Sequence, residues 1–295
     1  MVYSEFLILT AIEEQRRVLS AQDLAKVTGM NIQEICPIVE LLKNKEYITD
    51  ISVTQKGLCA LEPYRVKQAI FLAAGIGERL TPVTLSTPKP LVRVRGNRII
   101  DSLLDAVVAA GIEEIYLVRG YLSEQFNQLF HKYPGIRFIE NRLYKRTNNI
   151  SSMMLARHLN ENAYVFEADL LLFNPRLISK YQYRTNYLGI PVESTYDWCM
   201  TSQNGCVTGM ARGGAHCHLM IGVSYWTKED RRQLAKHLAE VFKTPNGKKC
   251  FWDEVAISCF PNEYKIHIRE CQMEDIIEID TLQELIAIDS AYKTI

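Results

Sequence analysis

The chain has 295 residues, 47% of them hydrophobic and 23% charged, with Lys+Arg and Asp+Glu both at 34. That length holds two domains or one large one, and a net charge of zero supplies no overall field for nucleic acid or an anionic lipid surface. No apolar run approaches the roughly 18 residues of a membrane helix, the opening MVYSEFLILTAIEEQ lacks a basic leader and a small-residue cleavage site, and eight scattered cysteines without a CxxC pair read as reduced thiols in a cytoplasmic protein.

Residues 1 to about 62 read as a unit of their own. Phe6, Leu7, Leu9, Ile12 and Val18 are spaced for an amphipathic helix and its exit. Ser20 can cap a second helix with Asp23 three residues on, and Gly29 ends it. Asn31 can cap a third helix that carries Ile35, Ile38, Val39, Leu41 and Leu42. Residues 47–49 and 51–53 alternate as a small hairpin, closed by Lys56-Gly57. Three helices and a hairpin resemble a winged helix-turn-helix of the kind common in bacterial regulators. DNA binding would follow, but residues 1–62 hold six Lys or Arg against nine acids, a net charge of minus three. Phosphate contact needs a basic face. A docking, dimerisation or regulatory module is the competing reading, and the boundary is expected near residue 64, giving domains 1–64 and 65–295.

Residues 69–73 form a short apolar run that breaks at Gly75-Ile76-Gly77, a buried strand ending in a glycine-rich loop. Glycines let backbone N–H groups approach an anion closely. Arg79 and Lys89 flank the loop with positive charge, and Pro82, Pro88 and Pro90 stiffen the path between and around them. The pattern is not a P-loop, because GxxxxGK[ST] is absent, and the third glycine of a dinucleotide fingerprint is replaced by Leu80.

From Val66 onward strands and helices alternate, which predicts a three-layer α/β fold with a mostly parallel sheet. A helix is expected over 99–110, ended by Gly111, then a strand over 114–118. Ser123 is expected to cap a helix reaching Tyr133, followed by a strand over 136–139 and a helix from near Ser151. The run 163–172 reads as the longest apolar strand, interrupted by Glu167 and Asp169 on one face. A carboxylate inside such a strand is costly unless paired or bound to a metal, and ligands of open α/β sheets sit at the carboxyl ends of the strands. Asp169 therefore reads as a magnesium ligand.

Further on, strands are expected over 187–192 and 219–226, with a hairpin between them around Trp198, Gly205 and Met210 laid over the site. Thr227 and Asp230 form a helix start, and a strand is expected over 263–270. Asp280 is expected to cap the last helix or else to join the site. His216-Cys217-His218 looks like a metal tripeptide, but alternation would turn Cys217 away from both histidines.

The stretch LAAGIGERLTPVTLSTPKPLVRVRGNRII over 72–100 resembles the signature LAAGxGxRLxPxTxxxPKxLvxvxGxxii of the nucleotidyltransferases that activate sugar phosphates and phosphocholine. ENRLYKRTNNISSM over 140–153, GVSYW over 222–226, Trp252-Asp253 and EIDT over 278–281 are similar to the bacterial CTP:phosphocholine branch. The resemblance covers about residues 66 to 290. It implies a nucleotide-diphospho-sugar transferase-like fold and magnesium-dependent attack of an acceptor phosphate on the α-phosphorus of an NTP.

By that resemblance Asp169 and Asp253 hold magnesium, and Lys89 bridges the α-phosphate and the acceptor. Leu72, Ala73, Ala74, Gly75, Gly77, Glu78 and Arg79, with Gly120, Tyr121, Asn149 and Ser151, form the nucleotide site. Their types do not separate cytosine from uracil. Glu278 and Asp280 add to the metal or acceptor site. Trp198, Tyr225, Trp226 and Trp252 are candidates for an aromatic cage around a quaternary ammonium, or else core aromatics. CTP with phosphocholine is the expected pair, with aminoethylphosphonate or phosphoethanolamine suiting the same pocket. A sugar 1-phosphate acceptor, or a regulator that senses a nucleotide and binds DNA through residues 1–62, are the alternatives. A homodimer stays open.

Overall fold

The computed structural model describes residues 1–17, 19–50 and 52–294, so the expected roles of Val18 and Ile51 lie outside the described residues. The chain divides into two compact units, Met1–Arg65 with Tyr181–Tyr183, and Val66–Lys180 with Arg184–Ile295.

In the first unit, helices α1 (Tyr3–Gln15), α2 (Ala21–Thr28) and α3 (Ile32–Asn44) enclose Phe6, Leu9, Ile12, Leu24, Ile35 and Leu42. Ser20 Oγ accepts the Asp23 N–H at 3.1 Å and Asn31 Oδ1 accepts the Gln33 N–H at 3.1 Å, so both expected caps form. Gly29, at φ 69°, donates its N–H to Ala25 O and ends α2. Among the described residues the expected hairpin shows one antiparallel bridge, Ile48 to Val53. Lys56-Gly57 does not close it. These residues lie inside a fourth helix, α4 (Gln55–Leu61), capped by Thr54. A Cβ at Gly57 would lie 2.2 Å from Tyr47 O, so glycine lets this helix sit directly on the chain at residue 47. Tyr183 stacks on Tyr64 with ring centroids 5.1 Å apart, which ties the 181–183 segment to this unit.

The second unit is built on strand β1 (Gln68–Ala73). A two-residue ribbon, β2 (Arg93–Val94) and β3 (Asn97–Arg98), leads into α5 (Ile99–Ala109). Then come β4 (Glu114–Arg119), β5 (Ile136–Glu140), α6 (Ile150–Ala156), β6 (Ala163–Glu167) and β7 (Leu170–Leu172). The long hairpin β8 (Asn186–Gln203) and β9 (Cys206–Trp226) precedes α7 (Lys228–Val241), α8 (Trp252–Glu254), β10 (His267–Glu270), β11 (Ile276–Glu278) and α9 (Leu282–Ile288).

The main sheet has seven strands in the order β10-β8-β9-β6-β1-β4-β5. Strands β6, β1, β4 and β5 are parallel neighbours, and β9 runs antiparallel to both β6 and β8. Side-chain alternation makes the layers. Ala69, Phe71 and Ala73 pack with Leu103, Leu104 and Val107 of α5, while Ile70 packs with Ala156 of α6 on the opposite face. The expected three-layer, mostly parallel α/β fold is what forms.

Several expectations shift. The segment Ser123–His131 is a 3-10 helix, entered through Leu122 at φ 46°, and Ser123 caps nothing. The 163–172 run is two strands, because the chain turns at Ala168-Asp169 and β7 leaves the main sheet to pair with β11. The expected strand over 263–270 starts only at His267, where pairing with Asn186 begins.

Arg231 of α7 is 2% exposed and has no carboxylate partner among the described residues. Its guanidinium donates at 3.2 Å to the carbonyl of Ala156, the last residue of α6, and at 2.6 Å to Leu159 O just beyond it. Burial alone lowers it to about 10. Arg231→Leu should destabilise the second unit by about 3 kcal/mol, because buried carbonyls lose their donor. All three tryptophans (Trp198, Trp226 and Trp252) lie in this unit, so urea unfolding followed by tryptophan fluorescence reads it directly.

Candidate active site

The carboxyl ends of β1 and β6 lie side by side, with Leu72 in register with Glu167. The chain leaves β1 through Ala74-Gly75-Ile76-Gly77, and a cavity of about 480 Å³ opens above it. Gly77 sits at φ 71°, and a Cβ there would lie 3.0 Å from Lys89 Cβ and 3.2 Å from Thr84 Cγ2. A Cβ at Gly75 would meet nothing within 4 Å. One glycine therefore lets the loop close on Lys89, and the other leaves its backbone accessible to an anion.

Lys89 is 7% exposed. Its Nζ donates to Asp169 Oδ2 at 2.6 Å and to Asp280 Oδ1 at 2.9 Å, and Arg79 Nη2 reaches the same Asp280 oxygen at 2.8 Å. Burial works against the ammonium, but the two carboxylates outweigh it and raise Lys89 above the ordinary lysine range. Asp280 is itself opposed by burial and held below its ordinary range by Lys89. The last helix is capped by Thr281, whose hydroxyl accepts the Glu284 N–H at 3.2 Å. Asp280 is thus free of the capping role and belongs to the cavity wall.

Oxygens of Glu167, Asp169 and Glu278 come within 4.8 Å of one another. Asp169 Oδ1 is buried and has no hydrogen-bond partner among the described residues. Glu167 is pushed up to about 8 by burial, then by Asp169 and Asp253. Glu278 is pushed well above its ordinary range by burial, then by Asp169 and Glu167. Clustered carboxylate oxygens, one of them orphaned, fit a hard divalent cation such as magnesium. Gly222 makes room for this cluster, since a Cβ there would lie 2.7 Å from Glu167 Cβ and Cγ.

Asp253 lies outside that group of three. It is 5% exposed and accepts the Tyr187 hydroxyl at 3.2 Å and the Glu254 N–H at 3.0 Å. It lines a second cavity of about 390 Å³, which shares Arg79, Glu167, Phe251, Glu278 and Asp280 with the first.

Leu72, Ala73, Ala74, Gly75, Gly77, Glu78, Arg79, Lys89 and Asn149 all line the first cavity. Gly120, Tyr121 and Ser151 do not. The Tyr121 hydroxyl donates to Thr84 O at 2.9 Å, which braces the glycine loop from behind. A Cβ at Gly120 would lie 2.9 Å from the Tyr144 ring, so this glycine admits Tyr144 to the wall. Ser151 is 1% exposed and accepts from Asn141 Nδ2 at 2.9 Å. Sequence reasoning missed Asn141, Tyr144, Thr147, Asn148 and Ser152, all on the first cavity wall. The motif ENRLYKRTNNISSM contains every one of them and was the available signal.

The expected aromatic cage does not assemble. Tyr225, Trp226 and Trp252 are at most 1% exposed and line neither cavity. Successive residues on β9 point to opposite faces, so Tyr225 enters one core cluster and Trp226 the other. Trp198 alone reaches the second cavity, edge-on to Phe251 at 5.4 Å. His216 pairs with Glu193 and His218 with Glu270, while Cys217 is buried away from solvent.

Burial pushes Asp253 up to about 6 from an ordinary value of 3.8, with the Tyr187 hydroxyl working the other way. Folding thus favours its protonated form, and stability falls as pH rises between those values and stays lower above them. Asp253→Asn should gain up to about 3 kcal/mol at pH 7.5 and nothing at pH 3. Urea denaturation at both pH values measures this, and an equal difference at both would refute it. Gly222→Ala should displace Glu167 and weaken binding of a divalent cation about tenfold, read by calorimetric titration of Mn²⁺ into wild type and variant.

The sequence profile of the Nucleotidyl transferase family matches residues 68–184. The 2-aminoethylphosphonate cytidylyltransferase of Lancefieldella rimae is 35% identical over 228 residues, 76% of this chain and 92% of that protein. The choline-phosphate cytidylyltransferase of Haemophilus influenzae is 30% identical over 73% of this chain and 93% of its own length. A solved structure of the CTP:phosphocholine cytidylyltransferase of Streptococcus pneumoniae aligns with a TM-score of 0.70 at 28% identity, covering 77% of this chain and 99% of that one. Identity at that level, sustained along 92% of a relative's length, reflects common descent, and this chain belongs to the nucleotidyl transferase family.

Proposed function

We propose that the chain is a magnesium-dependent cytidylyltransferase acting on a small amino-alkyl phosphonate or amino-alcohol phosphate. The observation that carries the reading is the buried Lys89 ammonium joined to Asp169 and Asp280 beside the open Gly75 backbone. The names of the relatives above supply the nucleobase and the acceptor class.

An acceptor oxygen would attack the α-phosphorus of CTP, the bond to the oxygen bridging the β-phosphorus would break, and pyrophosphate would leave. Both partners are anionic, so the protein must align them and offset charge. The backbone of the glycine loop and Arg79 would hold the leaving phosphates, and Lys89 would meet the oxygens around the α-phosphorus. No protein nucleophile is required. Magnesium held among Glu167, Asp169 and Glu278, with Asp253 facing them from the second cavity, would draw charge from the phosphate oxygens.

The second cavity offers an ammonium both carboxylates and aromatic faces. Three of the four aromatics expected around a quaternary ammonium are buried in the core, but Tyr187, Trp198 and Phe251 line the cavity, and aromatic faces attract a quaternary ammonium. Asp197 and Asp253 offer a primary amine charge and hydrogen-bond acceptors in the same place. 2-Aminoethylphosphonate and phosphocholine both suit this lining.

Residues 1–65 are read as a docking or regulatory unit rather than a DNA-binding one. Three of its lysines are already paired, Lys43 with Asp50, Lys45 with Glu5 and Lys56 with Glu46. The exposed start of α3 presents Ile32, Gln33 and Glu34, with no cation.

The test is pyrophosphate release from purified protein with magnesium, four NTPs and a panel of phosphorylated acceptors. CTP with 2-aminoethylphosphonate or phosphocholine should turn over, and chelation of the metal should stop it. Lys89→Met should lower kcat by roughly 10²–10⁴, and Asp169→Asn should abolish activity together with metal binding. Silence with every acceptor would end the transferase reading.

A further inference from the structure

The second cavity carries two charged side chains, Asp197 and Arg212, that neither the transfer step nor the Lys89 cluster uses. Glu167, Asp197, Asp253, Glu278 and Asp280 give it five carboxylates, and its cations are Arg79 and Arg212. Arg79 is already engaged with Asp280 at 2.8 Å. Arg212 is exposed and makes no ion pair or hydrogen bond among the described residues. It stands opposite Trp198 on the β8–β9 hairpin, with Asp197 next along the strand.

An acceptor carrying a phosphonate or phosphate would enter a wall of like charge, and repulsion in a partly desolvated cavity is strong. Magnesium and Lys89 would offset that charge at the reacting centre, and deeper in the second cavity the acceptor meets a cation only where one is not already engaged with a carboxylate. Arg212 is that cation. Its planar fork matches two phosphonate oxygens at once, which a point charge does not. It lines the second cavity and not the first, so its reach is to the acceptor rather than to the glycine loop.

We propose that Arg212 is an acceptor-binding residue that takes the phosphonate or phosphate oxygens, while Asp197 beside it takes the ammonium. This rests on the transferase reading above. It assigns acceptor choice to the hairpin, with Asp197, Trp198 and Arg212 presented side by side on its two strands.

Calorimetric titration separates the two ideas. 2-Aminoethylphosphonate and phosphocholine are titrated into full-length wild type, Arg212→Ala and Arg212→Lys, each held with magnesium and a non-hydrolysable CTP analogue. Arg212→Ala should bind the acceptors about 10- to 100-fold more weakly, Arg212→Lys should fall between, and CTP-analogue affinity should match wild type in both. The unchanged nucleotide affinity also shows that the variants are folded. Acceptor binding by Arg212→Ala equal to wild type overturns the assignment and leaves the transferase reading standing. Loss of CTP-analogue affinity instead gives Arg212 to the nucleotide and also overturns it. Wild type that binds the CTP analogue and neither acceptor brings down the acceptor reading and this inference together.

Discussion

The ammonium of Lys89 is the contact on which the carboxyl end of the sheet depends. Glu167, Asp169, Glu278 and Asp280 converge there, and two of them touch the lysine. Without it the four carboxylates would face one another in a poorly solvated space, which is costly unless they take up protons. Lys89 and Arg79 together do not neutralise four carboxylates. Glu167 and Glu278 stay above their ordinary range even with Lys89 beside them. The ligand-free protein is therefore short of positive charge where the chemistry would occur, and a divalent cation would relieve that deficit.

The backbone is shaped to hold this unfavourable cluster. Lys89 sits in a short helical turn, Lys89–Leu91, whose three residues are all buried. Gly77 lets the preceding loop close against the lysine stem, and Gly222 on the reversed strand β9 makes space for Glu167. The surrounding core supplies the stability that such strain consumes. Phe71 stacks on Phe166 with centroids 4.6 Å apart, joining β1 to β6 directly beneath the site. Perturbed carboxylates on a rigid apolar platform are characteristic of a site selected for chemistry rather than for stability.

The sheet and the glycine loop were legible because they rest on local signals. An apolar run broken by GxG marks a strand and its exit, and the family pattern extends that signal over 72–100. Glu167 and Asp169 stood out as charges in an apolar run. What the sequence hid was set by tertiary placement. Tyr225, Trp226 and Trp252 cluster in the chain near acids, yet strand alternation and α8 turn them into the core. Asp280 precedes a helix and so resembles a cap, but Thr281 takes that role and leaves Asp280 to Lys89 across 191 residues of chain. Arg212 carries no local signal at all. It sits in a glycine-rich stretch of β9, and only the pairing with Trp198 brings it to a cavity.

The two cavities are made by different parts of the chain, and this has a consequence for how such a fold can vary. The first is walled by the loops after β1 and β6 and by the start of α6, all fixed by the parallel strands. The second is walled by β8, β9 and α8. They share Arg79, Glu167, Phe251, Glu278 and Asp280, so on the proposed reading the attack on the α-phosphorus would fall at their boundary, where charge compensation is concentrated. Side chains on the hairpin beyond that boundary can change without disturbing Lys89 or the carboxylates it holds. On the proposed reading acceptor choice would be partly separable from the transfer step, because the hairpin residues that hold the acceptor do not touch the α-phosphorus.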